Sequence, residues 1–134
     1  MPEEILEVTV RTPERVVYRG RARSLLVRGI SGDIQILPGH EPLLTALPLY
    51  RAVVVEEKGT ELLLALHGGL LSVRGTEALV LADAAELPHE IDLERARQAQ
   101  KRARERLEKP GRWDIARARQ ALARARLRCW VASR

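Results

Sequence analysis

The last 46 residues of the chain are chemically unlike the 88 before them, and that break constrains the fold more than any other feature. From His89 onward 14 Lys+Arg face 6 Asp+Glu, a net charge of 14 − 6 = +8. Residues 1–88 carry 9 bases and 12 acids, 9 − 12 = −3, and the two segments sum to the +5 of the whole. The front is built from Val, Leu, Ile and Gly, and the back from Ala and Arg. A β-type body with a cationic helical arm is a body that anchors and an arm that reaches for something anionic.

The front segment reads as short strands. Leu6, Val8 and Val10 alternate with Ile5, Glu7 and Thr9, a period of two. Further β-type runs follow at Arg15–Arg19, Ser24–Arg28, Asp33–Leu37, Leu49–Glu56, Glu61–His67, Leu70–Arg74 and Ala78–Ala82. Between them stand turn signals: Thr12-Pro13, Arg19-Gly20, Ser31-Gly32, Pro38-Gly39, Lys58-Gly59, Gly68-Gly69 and Arg74-Gly75. So many short strands predict an antiparallel sandwich or flattened barrel over residues 1–88. With no Phe in the chain, Leu, Val and Ile must fill its core. The aromatics are Tyr18, Tyr50, Trp113 and Trp130 alone.

Pro88 closes that domain, and residues 89–134 form the second. Asp92 is a good N-cap for a helix with Leu93, Ala96, Ala99, Ala103 and Leu107 on one face. Lys109-Pro110-Gly111 breaks it, and Asp114 caps a second helix whose Ile115, Ala118, Leu122, Ala125 and Cys129 recur every three or four residues. So short a connection predicts an antiparallel hairpin. Its seam is largely Ala, and each buried CH2 contributes only ~0.8 kcal/mol, so the pairing is weak and the arm detachable. The fold class expected is therefore α+β, a sandwich followed by a two-helix hairpin.

Enzymatic signatures are missing. There is no phosphate loop, no dinucleotide fingerprint and no nucleophile elbow. The HExxH pattern begun by His40-Glu41 and His89-Glu90 fails at Leu44 and Leu93. The three histidines and the single Cys129 are scattered, which argues against a metal site and against a disulfide framework. No apolar run approaches the ~20 residues that span a bilayer.

Two constellations remain. The stretch from Ser31 to Thr45 runs through Pro38-Gly39 to expose His40 and Glu41, either as an ordinary surface turn or as a binding loop. In the arm, pairing the helices about Pro110-Gly111 sets Arg95 roughly level with Arg128 and Arg102 within about a turn of Arg124. Four clustered guanidiniums repel one another unless a polyanion sits among them, and their planar forks match phosphate oxygens; a solvated cationic face is the plainer alternative. A nucleic-acid-binding hairpin is the other composition-level alternative. Against it, no aromatic platform interleaves the arginines and the β half is acidic.

At these residues the sequence resembles the epsilon subunit of F-type ATP synthases, the delta subunit of mitochondria. The resemblance rests on Gly32-Asp33 followed by Leu37-Pro38-Gly39-His40-Glu41-Pro42-Leu43-Leu44-Thr45, on Gly68-Gly69-Leu70-Leu71-Ser72-Val73, on Val80-Leu81-Ala82-Asp83-Ala84-Ala85-Glu86, and on Ile91-Asp92 opening the hairpin. His67 departs from it, since the family usually has a small residue before the glycine pair.

The resemblance implies a ten-stranded sandwich and a two-helix hairpin in a non-catalytic rotor subunit. That subunit lies peripherally on the cytoplasmic face of the bacterial membrane. The sandwich would bind the gamma subunit and the c-ring, with Asp33 and His40 as c-ring contacts. The hairpin would extend into the catalytic α/β hexamer and inhibit hydrolysis. No cofactor is implied beyond ATP as a regulatory ligand. By resemblance to the motif Ile91-Asp92-Leu93-Glu94-Arg95-Ala96, the ATP set is Glu86, Asp92, Arg95, Ala96, Arg102, Arg124 and Arg128. Arg97 stands where the motif often has Lys.

Overall fold

A computed structural model describes residues 5–109, 111 and 114–134; Met1–Glu4, Pro110 and Trp113 of the reading above lie outside the described residues. The chain divides into two compact units, the first ending at Glu86 and the second beginning at Leu87.

Seven strands make up the first unit: β1 (Leu6–Arg11), β2 (Val16–Gly29), β3 (Gly32–Ile36), β4 (His40–Glu56), β5 (Glu61–Gly75), β6 (Glu77–Ala82) and β7 (Ala85–Glu86). β1 pairs with β2 on one side and β6 on the other, so β1-β6-β5-β4-β2 closes on itself, with β3 added to β2 and β7 to β5. Closure removes free edges from those five strands.

Two expectations need correction. The strands are seven among the described residues rather than ten, because Gly20 and the Gly68-Gly69 pair lie inside continuous strands, β2 and β5, instead of ending them. Nor is the sheet wholly antiparallel: β1 and β6 run parallel, Val8 opposite Ala78 and Val10 opposite Val80. Strands so far apart in sequence are not bound by hairpin geometry, and here the intervening chain supplies the long crossover that parallel pairing requires.

The two longest strands pair with each other in two successive stretches. On β5, Glu61–His67 pairs with Val55–Leu49 of β4, whereas Gly69–Val73 pairs with Leu47–Leu43. The bend sits at Gly68 (φ +80°) and Gly69 (φ +147°), beside Pro48 of β4, which brings no N–H to the ladder. A Cβ on Gly69 would lie 2.2 Å from the Leu81 carbonyl oxygen and 2.8 Å from Ala82 Cα, so only glycine fits there.

Within the stretch Ser31–Thr45 the loop that was to expose His40 and Glu41 is confined to Leu37–Gly39, because β4 begins at His40 and Leu43–Thr45 pair with Val73–Leu71 of β5. An irregularity between His40 and Leu43 accommodates Pro42. Period-two burial holds: Leu6, Val8 and Val10 of β1 are buried, as are Ile36, Val54, Leu64, Leu71, Val73 and Val80.

The second unit begins with a 3-10 turn (Pro88–Glu90), then α1 (Leu93–Glu108) and α2 (Ile115–Ala132). Asp92 Oδ1 accepts from Arg95 N at 3.0 Å and Asp114 Oδ1 from Arg117 N at 3.2 Å, the two N-caps that the sequence specifies. The C-terminal half of α1 lies against the N-terminal half of α2, so the pair is antiparallel. Ala96 and Ala103 are buried on α1, and Ala118, Leu122 and Ala125 on α2. α2 buries Leu127 and Val131 as well, whereas Cys129 is only half-buried and Ile115 is exposed. A single-stripe reading misses this second buried face.

Candidate functional site

Between α1 and α2, near the loop that joins them, lies an open groove of about 550 Å³. Four arginines line it: Arg102 and Arg106 from α1, Arg117 and Arg124 from α2. Its floor is Ala99, Ala103, Ala118 and Ala121, whose small side chains let the helices approach and leave room between the guanidiniums. Asp114 stands at the rim, its carboxylate engaged in capping α2. Four arginine side chains thus border one open space, a natural seat for a polyphosphate.

Only part of the expected cluster meets there. Arg102 and Arg124 share the groove; Arg95 and Arg128 do not line it. Arg95 is exposed in the first turn of α1, beside buried Ala96, while Asp92 caps that turn. Arg106 and Arg117 were missed by sequence reasoning. The signal was present, since Arg106 follows Arg102 by four and Arg117 precedes Arg124 by seven, both same-face spacings.

Glu86 belongs to the first unit. Its Oε1 lies 2.7 Å from His67 Nε2, with the imidazole 6% and the carboxylate side chain 24% exposed. His67, the departure in the glycine signature, therefore has a definite partner.

Asp33 and His40 are held separately. Asp33 lies directly across the β2–β3 hairpin from Arg28, whose Nε donates to Oδ1 at 3.1 Å. Arg28 also stacks on Tyr50, its guanidinium carbon 4.0 Å from the ring centroid. His40 is half-buried at the start of β4, its Nδ1 2.7 Å from the Glu41 carbonyl. The carboxylate of Asp33 thus reaches solvent as half of an ion pair.

The strand register exposes one further feature. Val16, Arg11, Leu81, Leu70 and Ala46 are successive cross-strand neighbours running over β2, β1, β6, β5 and β4. Val16, Leu81, Leu70 and, one row along, Leu44 are 47%, 44%, 46% and 74% exposed. Apolar side chains in adjoining rows of one sheet face make a surface suited to a partner.

Among the described residues no group of His, Cys, Asp and Glu is arranged to hold a metal ion, and no helix is long and apolar enough to cross a membrane.

The chain matches two family models. Residues 5–88 match the model described as ATP synthase, Delta/Epsilon chain, beta-sandwich domain, and residues 89–133 the one described as ATP synthase, Delta/Epsilon chain, long alpha-helix domain. The ATP synthase epsilon chain of Brevibacillus brevis is 45% identical over 102 residues, 76% of this chain and 77% of that one. The epsilon chain of Carboxydothermus hydrogenoformans is 46% identical over 102 residues, 76% and 75% of the two chains. A chain in the cryo-EM structure of the Euglena gracilis mitochondrial ATP synthase superposes with a TM-score of 0.82 at 20% identity, covering 100% of this chain and 84% of that one. At that identity the likeness speaks to fold.

Proposed function

The chain belongs to the ATP synthase delta/epsilon chain family, and from that premise we propose that it is a non-catalytic central-stalk subunit of an F-type ATP synthase whose hairpin is a nucleotide-responsive brake. The observation that carries the regulatory part is the groove of Arg102, Arg106, Arg117 and Arg124 inside an alanine-seamed hairpin.

Four arginines lining one cleft favour the folded hairpin when a triphosphate lies between them. A ligand that binds only this state stabilises it by RT ln(1 + [L]/Kd), about 2.7 kcal/mol at a hundredfold excess over Kd. That is a large increment for helices whose buried seam is Ala96, Ala103, Ala118 and Ala125 with Leu122 the one larger side chain of that stripe. Abundant ATP would keep the hairpin folded. Scarce ATP would release an arm of +8 (14 − 6) toward the catalytic α/β hexamer, where an acidic surface favours its docking. In this reading Arg102, Arg106, Arg117 and Arg124 take the phosphates. Glu86, Asp92, Arg95, Ala96 and Arg128 are assigned to the same ligand on the resemblance alone.

The sandwich would ride on the rotor at the cytoplasmic face of the bacterial membrane. Its apolar face of Val16, Leu44, Leu70 and Leu81 is offered to the gamma subunit, and Asp33 with His40 to the polar loops of the c-ring. The nucleotide acts as a signal and is not turned over.

Calorimetric titration of the full chain with ATP, with and without Mg2+, tests the regulatory reading. Saturable binding is expected, weakened about ten- to a hundredfold by Arg124→Ala or Arg117→Ala, since hydrogen bonds to charged groups contribute roughly 1.5–3 kcal/mol. Absence of binding, or wild-type affinity in both variants, removes the nucleotide from the mechanism.

A further inference from the structure

β7 is only two residues long, Ala85 and Glu86 opposite Leu66 and Ala65, and the chain leaves the sandwich immediately after it. Its backbone is tied by His67 N donating to the Ala84 carbonyl at 2.9 Å and Asp83 N to the Gly68 carbonyl at 3.0 Å. So short a ladder barely offsets the conformational entropy of ordering the segment. A side-chain bond therefore weighs heavily there.

We propose that His67 is a positioning residue that latches β7 to β5 through Glu86 and fixes the orientation of that carboxylate. Two observations converge. The imidazole is 6% exposed, and its Nε2 meets Glu86 Oε1 at 2.7 Å. Its Nδ1 is buried with no hydrogen-bond partner among the described residues. The alternative neutral tautomer, with the proton on Nδ1, would bury an unpaired N–H and turn a lone pair toward the carboxylate; the proton therefore sits on Nε2 and is donated to Glu86. A partly desolvated carboxylate needs such a donor. Where Glu86 also receives the nucleotide, which rests on the function proposed above, the latch sets the geometry of that contact.

Amide hydrogen exchange of residues 84–87 in the full chain tests the latch. His67→Ala should accelerate exchange roughly tenfold, the loss of one charge-assisted hydrogen bond, and Glu86→Ala at least as much. The double variant should exchange no faster than Glu86→Ala, because that variant already removes the bond His67 makes. His67→Gln, which restores a side-chain N–H donor, should recover most of the protection, while the amides of Val8 and Val80 stay protected throughout. Unchanged exchange in the single variants, or a double variant faster than Glu86→Ala, overturns the proposal. ATP calorimetry on the same proteins separates the two readings. A wild type that binds no ATP removes the nucleotide site and leaves the latch to be judged by exchange. Wild-type affinity in His67→Ala, with ATP bound, overturns the latch's part in nucleotide binding.

Discussion

Gly69→Ala places a methyl group where the backbone of β6 already is. The new Cβ would lie 2.2 Å from the Leu81 carbonyl oxygen and 2.8 Å from Ala82 Cα, at a φ of +147°. Two costs follow. Holding an L residue in that region of backbone space costs of order 1–3 kcal/mol. Relieving the overlap means prising β5 from β6 at the Gly69–Ala82 and Leu70–Leu81 pairs, which forfeits one or two ladder bonds at about 1 kcal/mol each. Together the loss is roughly 2–5 kcal/mol, a large part of the 5–15 kcal/mol that holds a typical domain folded.

Gly75→Ala is the internal control. Its φ of +57° is also left-handed, but nothing lies within 4 Å of the added Cβ. Only the conformational cost of about 1 kcal/mol remains there. Urea unfolding followed through the NMR amide signals of Val8, Val73 and Val80 reports on the sandwich independently of the hairpin. The midpoint should fall steeply for Gly69→Ala and slightly for Gly75→Ala. Equal midpoints in the two variants would refute the claim that close approach of β6, rather than φ alone, demands glycine at the bend.

Two further outcomes are expected. In the assembled synthase, removing residues 89–134 should raise ATP hydrolysis while the sandwich still assembles; unchanged hydrolysis at every nucleotide concentration would eliminate the brake. Burial, then the hydrogen bond from its hydroxyl to Glu56 at 3.0 Å and that carboxylate's charge, push the Tyr18 phenol up to about 12. In a Tyr50→Phe background the phenolate absorbance should therefore titrate near pH 12, and Glu56→Gln should lower the midpoint only part of the way toward 10, because burial is the larger cause. The folded state holds this proton more tightly than the unfolded chain. Its contribution to stability is accordingly complete below about pH 10 and is lost as pH climbs toward 12. A midpoint near 10 in the otherwise native protein would contradict the buried hydrogen bond.

Much of this protein is legible without coordinates, wherever the determining physics is local. The charge break after Pro88 separates the two units to within two residues of the division after Glu86. Asp92 and Asp114 cap the two helices because an N-cap needs only its own carboxylate and an amide three residues on. Alternation at Leu6, Val8 and Val10 orients β1 because side chains on a strand point to opposite faces in turn. What failed to be legible depends on partners distant in sequence. Gly68-Gly69 reads as a turn, and only the pairing of β5 with β4 on both sides of it makes it a bend inside one strand. The parallel union of β1 with β6 joins residues some seventy positions apart, beyond any local signal.

The candidate site divides along the same line. The sequence by itself determined that an Arg-rich, alanine-seamed helix pair would follow a β body, because composition and periodicity are properties of each segment alone. Only the tertiary structure decided which arginines line the groove. The rotation of α2 against α1 places Arg106 and Arg117 beside Arg102 and Arg124, and leaves Arg95 and Arg128 outside that groove. It likewise gave His67 its partner in Glu86, two β-strand neighbours nineteen residues apart. Periodicity states which residues share a face; packing alone states what that face meets.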